Sequence, residues 1–274
     1  MSSALPVVLA YCGAPPSPAE IWHRWRFDPV VLALLAAWLA AYLRGARVLR
    51  ASGAGVRAPS VAFVAGWAVA AFVLISPLCA LSVSLFAARA TQHVVLTLLA
   101  APLIAAGGGM RVTLAGLGVR VVPPAARAAH PLLAAGAFAA AIWFWHAPAA
   151  YAATFASVAA YWMMHATLFA SACWLWSTLL RRDDALVGGL LASLISSAQE
   201  GLLGALLTLS PRPVYAPHFL TTDAWGLTAL QDQQLGGAIM WVPGCAVFLV
   251  VALIALRSGL ARARPRRLSE AAAS

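Results

Sequence analysis

The stretch Asp232-Gln233-Gln234-Leu235-Gly236-Gly237-Ala238-Ile239-Met240-Trp241 opens the last long apolar run of the chain. An acid, two amides, two glycines, a thioether and an indole fall together where a bilayer prefers leucine. A charge at the centre of a membrane helix costs about 2.5–3.5 kcal/mol on insertion scales. These side chains therefore need partners, and the chain offers His93, His146 and His165.

Around that stretch the composition is that of a membrane protein. The 274 residues are 63% hydrophobic and 9% charged, with a mean hydropathy of +0.86. A soluble domain carries about 25% charged residues. Apolar runs recur to the end, so the expected fold is a single all-α polytopic domain. The net charge of +10 does not make it a nucleic-acid binder, because the arginines lie between apolar runs and form no continuous basic face. Cys12, Cys79, Cys173 and Cys245 show no CxxC or zinc spacing. Cys79, Cys173 and Cys245 lie in apolar runs and read as small buried hydrophobes. Tyr11 precedes Cys12 and no early arginine is present, which argues against a cleaved lipoprotein-type signal.

Seven spans are predicted, at 29–43, 61–80, 91–106, 132–145, 158–180, 185–209 and 233–256. Each approaches the ~20 residues that cross about 30 Å of hydrocarbon. Alternate links place fourteen arginines on one side and four (Arg24, Arg26, Arg89 and Arg212) on the other. The positive-inside rule then puts the N-terminus outside and the C-terminus in the cytoplasm. The expected organisation is an extracytoplasmic segment 1–28, a seven-helix domain 29–256 and a basic cytoplasmic tail 257–274.

On this topology His93, His146, His165, Gln199, Glu200, Asp232, Gln233 and Met240 all fall in the outer half of the membrane. Imidazole and thioether donors suit Cu(I) and other soft or borderline metals. His93, His146, His165 and Met240 are the candidate ligands. Glu200 and Asp232, with Gln199, Gln233 and Tyr215 nearby, are candidate hydrogen-bond partners that orient them. Spacing alone does not separate copper from haem. A plainer account also stands: polar groups in a bundle are often interhelical hydrogen bonds worth about 0.6 kcal/mol each. There is no GxSxG, HExxH, P-loop or GxGxxG, and no nucleophile–base set, so an enzyme is not expected.

Several motifs occur in order along these spans: Ser76-Pro77-Leu78, Gln92-His93, Ala101-Pro102-Leu103, Trp145-His146-Ala147-Pro148-Ala149-Ala150-Tyr151, His165 with Phe169 and Trp174, Gly201-Leu202-Leu203-Gly204, Pro213-Val214-Tyr215, and the opening stretch. In this ordered set, from about Trp25 to Trp241, the chain resembles the CtaG-type cytochrome c oxidase assembly factors of bacteria. The resemblance implies a seven-helix protein of the bacterial cytoplasmic membrane, needed to make an active haem-copper oxidase. Its partners would be cytochrome c oxidase subunits and the lipid bilayer, and copper delivery is a mechanism consistent with that role. The sequence departs from the family pattern at Arg89 and across Tyr161 to Met164, where relatives often carry further histidines. Two alternatives remain open at this level. One is a cofactor-free scaffold for an oxidase subunit. The other is an ion or proton transporter using Glu200 and Asp232, which lacks a polar path through the cytoplasmic half.

Overall fold

The computed structural model describes residues 11–53, 60–119, 130–180 and 186–271, with side chains to Arg257. Arg57, Arg120, Arg127, Arg181, Arg182, Asp183 and Asp184 lie outside the described residues, as do the side chains of the arginines after Arg257. The described chain is all-α. Five helices are long and apolar enough to cross a membrane, or up to seven if each of two bent helix pairs is one span.

The first span, α1 (Pro29–Ala51), begins behind Asp28, whose carboxylate accepts the N–H groups of Val30 at 2.9 Å and Val31 at 3.4 Å. Asp28 also accepts the Tyr11 hydroxyl at 2.8 Å. That bond, followed by the Val30 N–H, holds the carboxyl of Asp28 below its usual range. Burial first, and the bond to Asp28 second, push the Tyr11 phenol up to about 12.

The next pair, α2 (Val61–Ile75) and α3 (Leu78–Ser84), bends by 49° at Ser76-Pro77. Ser76 is extended there, as a residue before proline is biased to be. The third run is continuous helix from Phe86 to Ala106, longer at its start than the expected 91–106. It comprises α4 (Phe86–Val94), a π-helical segment Val95–Ala100 and α5 (Ala101–Ala106). Arg89 is consequently a buried helical residue, which corrects its expected place in an outer link.

A turn at Gly107-Gly108 leads to α6 (Gly109–Gly116), a short helix packed on α1. A Cβ at Gly45 would collide with the Val112 carbonyl, and one at Gly116 with the Ala41 carbonyl. Small residues there let the two backbones touch. The remaining helices are α7 (Pro131–His146), α8 (Pro148–Ala156), α9 (Val158–Leu179), α10 (Leu186–Thr208) and α11 (Ala229–Ala271). The α7–α8 pair bends by 72° at Ala147-Pro148. Helix α11 continues through the arginine-rich end to Ala271.

Helix α11 packs on α10 and α4, and α7 lies between α9 and α10. The paired glycines of the opening stretch explain how α11 serves both neighbours. A Cβ on Gly236 would strike the Phe86 ring of α4, and one on Gly237 would sit 2.8 Å from the Gly204 carbonyl of α10.

One expectation about the cysteines is overturned. Cys79 forms a disulfide with Cys12, their Cα atoms 5.5 Å apart, and so pins the N-terminal segment to α3. The Tyr161 hydroxyl lies 3.4 Å from one sulfur and 3.6 Å from the other. Cys173 and Cys245 are free and half-buried.

Candidate functional site

The site is built on α4, and the start of α4 is held from outside its own sequence. Leu85 precedes the helix and has no side-chain oxygen to cap it. Asp232 supplies the cap from α11, accepting the N–H of Phe86 at 2.6 Å and of Ala87 at 3.0 Å. A carboxylate at a helix N-terminus meets both the orphan N–H groups and the positive end of the dipole. Asp232 is therefore fully buried and engaged with backbone, and does not orient a histidine as expected.

From that cap, Arg89, His93 and Thr97 follow at four-residue intervals and share one face of the third run. The Thr97 hydroxyl donates to the His93 carbonyl at 2.7 Å. The Thr97 carbonyl accepts the Trp176 indole N–H at 2.8 Å, within the π-helical segment.

The structure brings the three predicted histidines together. His93 stands between the others, its ring centroid 5.9 Å from that of His146 and 5.5 Å from that of His165. His146 closes α7 just before the bend, and His165 lies two turns into α9. His146 Nδ1 is 2.8 Å from the Ile142 carbonyl, and His165 Nδ1 is 3.0 Å from the Tyr161 carbonyl. A carbonyl only accepts, so both Nδ1 atoms carry a proton, and in the neutral ring each Nε2 keeps its lone pair. His165 Nε2 and both ring nitrogens of His93 are buried without partners. His146 and His165 are thus oriented by backbone carbonyls, while His93 has no hydrogen-bond partner on either nitrogen.

The other predicted residues are placed as follows. Met240 is buried in the main core on α11. Glu200 is buried on α10 against Gly244 of α11, with Oε2 unpartnered. Gln199 accepts the Trp143 indole N–H at 2.7 Å. Gln233 accepts the Val214 N–H at 2.7 Å and donates to the Leu207 carbonyl at 3.3 Å, which ties the connection after α10 to α11. The Tyr215 hydroxyl donates to the His146 carbonyl at 2.9 Å.

Sequence reasoning passed over His218, and it placed Arg89 in a link and noted it only as a departure from the family pattern. His218, in the short turn Ala216–His218, is buried with Nε2 2.6 Å from the Tyr151 hydroxyl. Burial first, and the charge of Arg89 second, push it down to about 3. Its position between α10 and α11 read as ordinary loop, and only its imidazole marked it. Arg89 is fully buried, donates to Thr154 Oγ1 at 2.6 Å and lies over the Phe155 ring at 4.1 Å.

This arrangement can present neutral imidazole lone pairs to a soft cation in a water-poor setting. Two imidazoles on one ion, with metal–nitrogen bonds of about 2.0 Å, have ring centroids roughly 5–6 Å apart, and both His93 pairs satisfy this. Among the described residues no group of three or more His, Cys, Asp or Glu side chains is set up to hold a metal ion.

The model of a protein family described as "Cytochrome c oxidase caa3 assembly factor" (Caa3_CtaG) matches residues 40–261. No curated protein and no solved structure matches the chain.

Proposed function

Because the chain belongs to the cytochrome c oxidase caa3 assembly factor family, whose members are non-catalytic chaperones, we propose that it carries Cu(I) to an oxidase subunit. The observation that supports copper is the position of His93 between His146 and His165, with two of the three rings oriented by carbonyls. Cu(I) accepts two or three donors, so His93 with either neighbour makes a minimal site. Met240 on α11 is the proposed softer donor. When bound, the ion supplies the cargo, and the chain holds, orients and shields it.

The proposed topology has seven spans, each bent pair counting as one, with the N-terminus outside the bacterial cytoplasmic membrane. Arginine bias supports this orientation. So does the Cys12–Cys79 disulfide, which belongs to an oxidising compartment and lies beside His165 through Tyr161. The copper site then faces the side on which a disulfide persists.

The test is copper analysis of purified protein loaded under ascorbate, together with oxidase activity in cells. The intact protein should retain Cu(I), and His93→Ala/His165→Ala should lose both the metal and the oxidase. Normal oxidase activity in cells carrying that variant would sink the copper reading.

A second reading is a cofactor-free scaffold that holds the oxidase subunit within the membrane. An apolar cavity of about 520 Å³, lined by Trp38, Leu74, Met110, Trp162 and Phe169, favours it as a seat for part of a client helix. It predicts that oxidase co-purifies with the histidine-free protein.

A further inference from the structure

Among the described residues nothing neutralises the cation that stands beside the histidine cluster. Arg89 is fully buried one helical turn before His93. Its Nη1 donates to Thr154, and its guanidinium faces the rings of Phe155 at 4.1 Å, Tyr151 at 5.3 Å and Tyr161 at 5.8 Å. Its Nε and Nη2 have no partner. Among the described residues no carboxylate pairs with it. Asp232, which caps the same helix, has both oxygens on backbone N–H groups. Aromatic faces and a hydroxyl soften the charge without cancelling it. A buried charge is normally paired or hydrogen-bonded in full, because leaving it alone is costly. Arg89 shares a helix face with His93 four residues on, and the Tyr161 ring that its guanidinium faces lies 4.4 Å from the ring of His165.

We infer that Arg89 sets the charge selectivity of the histidine site, admitting monovalent copper and opposing divalent cations. This inference rests on the reading of His93, His146 and His165 as a Cu(I) site. Imidazole binds Zn(II) and Cu(II) well, so ligand type alone does not exclude them. The three ligands are neutral and bring no negative charge to offset the ion. Repulsion from a fixed neighbouring cation grows in proportion to the charge of the ion, and burial preserves it against screening. A second positive charge on the ion doubles that penalty. The same repulsion weakens retention of Cu(I), which suits a protein that must give its cargo away. Arg89 is a specificity-determining residue here and not a ligand.

The experiment measures Cu(I) and Zn(II) affinities of the full chain in detergent by competition with chromophoric chelators, using ascorbate so that the disulfide is left intact. Arg89→Met removes the charge and keeps the length, whereas Arg89→Lys keeps the charge. In Arg89→Met the preference for Cu(I) over Zn(II) should fall by about tenfold or more, and in Arg89→Lys it should stay within about threefold of the intact protein. Phe155→Glu provides a second route if Arg89→Met does not fold, since it places a counter-charge over an unchanged Arg89 and should erode the preference in the same direction. An unchanged preference in a folded Arg89→Met or Phe155→Glu protein that still binds Cu(I) overturns the inference and leaves the copper site standing. Failure of the intact protein to bind Cu(I) overturns both.

Discussion

Asp232 and Phe86, 146 residues apart, are joined by a 2.6 Å hydrogen bond from the Phe86 N–H to the Asp232 carboxylate. This bond makes α11 the cap of α4 and so fixes the rotation at which Arg89 and His93 enter the bundle. Asp232→Ala should destabilise the protein by about 1–3 kcal/mol, since it removes a cap and strands buried N–H groups. Asp232→Asn keeps one acceptor and should lose less. Thermal unfolding in detergent measures both, and an unaltered midpoint in Asp232→Ala would show that the cap is dispensable.

The Cys12–Cys79 bridge closes 67 residues of sequence. Replacing both cysteines by serine should cost about 2–5 kcal/mol. Reductant should lower the melting midpoint of the intact protein and leave the double variant unchanged. Equal melting with and without reductant would argue against the bridge.

Helices α1 and α6 touch through Gly45 and Gly116. Gly45→Ala should destabilise by about 1–3 kcal/mol, because its methyl group meets backbone that has no room to yield. Gly136, inside α7 with open space around it, is the control. Gly136→Ala should be neutral or stabilising by up to about 1 kcal/mol. The two substitutions are compared by melting, and the same sign for both would refute the packing account.

His218 gives a pH dependence whose sign is fixed. Its folded value is depressed to about 3, while an unfolded histidine titrates near 6.5. The unfolded chain therefore takes up a proton that the folded chain refuses. The contribution is present in full above pH 6.5 and is lost as pH falls toward 3. Stability should decline from pH 7 to pH 5, and His218→Gln should shallow that decline by up to about 1.4 kcal/mol per pH unit. Identical pH profiles for the two proteins would rule this out.

The sequence by itself determined the all-α membrane class and the approximate limits of most apolar runs. It also placed His93, His146 and His165 at one end of the bundle. Both follow from local physics: a run either is or is not long enough for hydrocarbon, and polar residues are conspicuous within it. The length of the third run was not legible there. Its first turn depends on Asp232, a cap that belongs to another helix and leaves no mark near Phe86. Cys79 looked like a buried hydrophobe because its partner lies in the segment before α1. Arg89 looked like a link arginine until Thr154, Phe155 and Tyr161 closed around it. Only the tertiary structure decided these cases, because each depends on groups roughly 65–145 residues apart in the chain, and helical periodicity reports which residues share a face but not what that face meets.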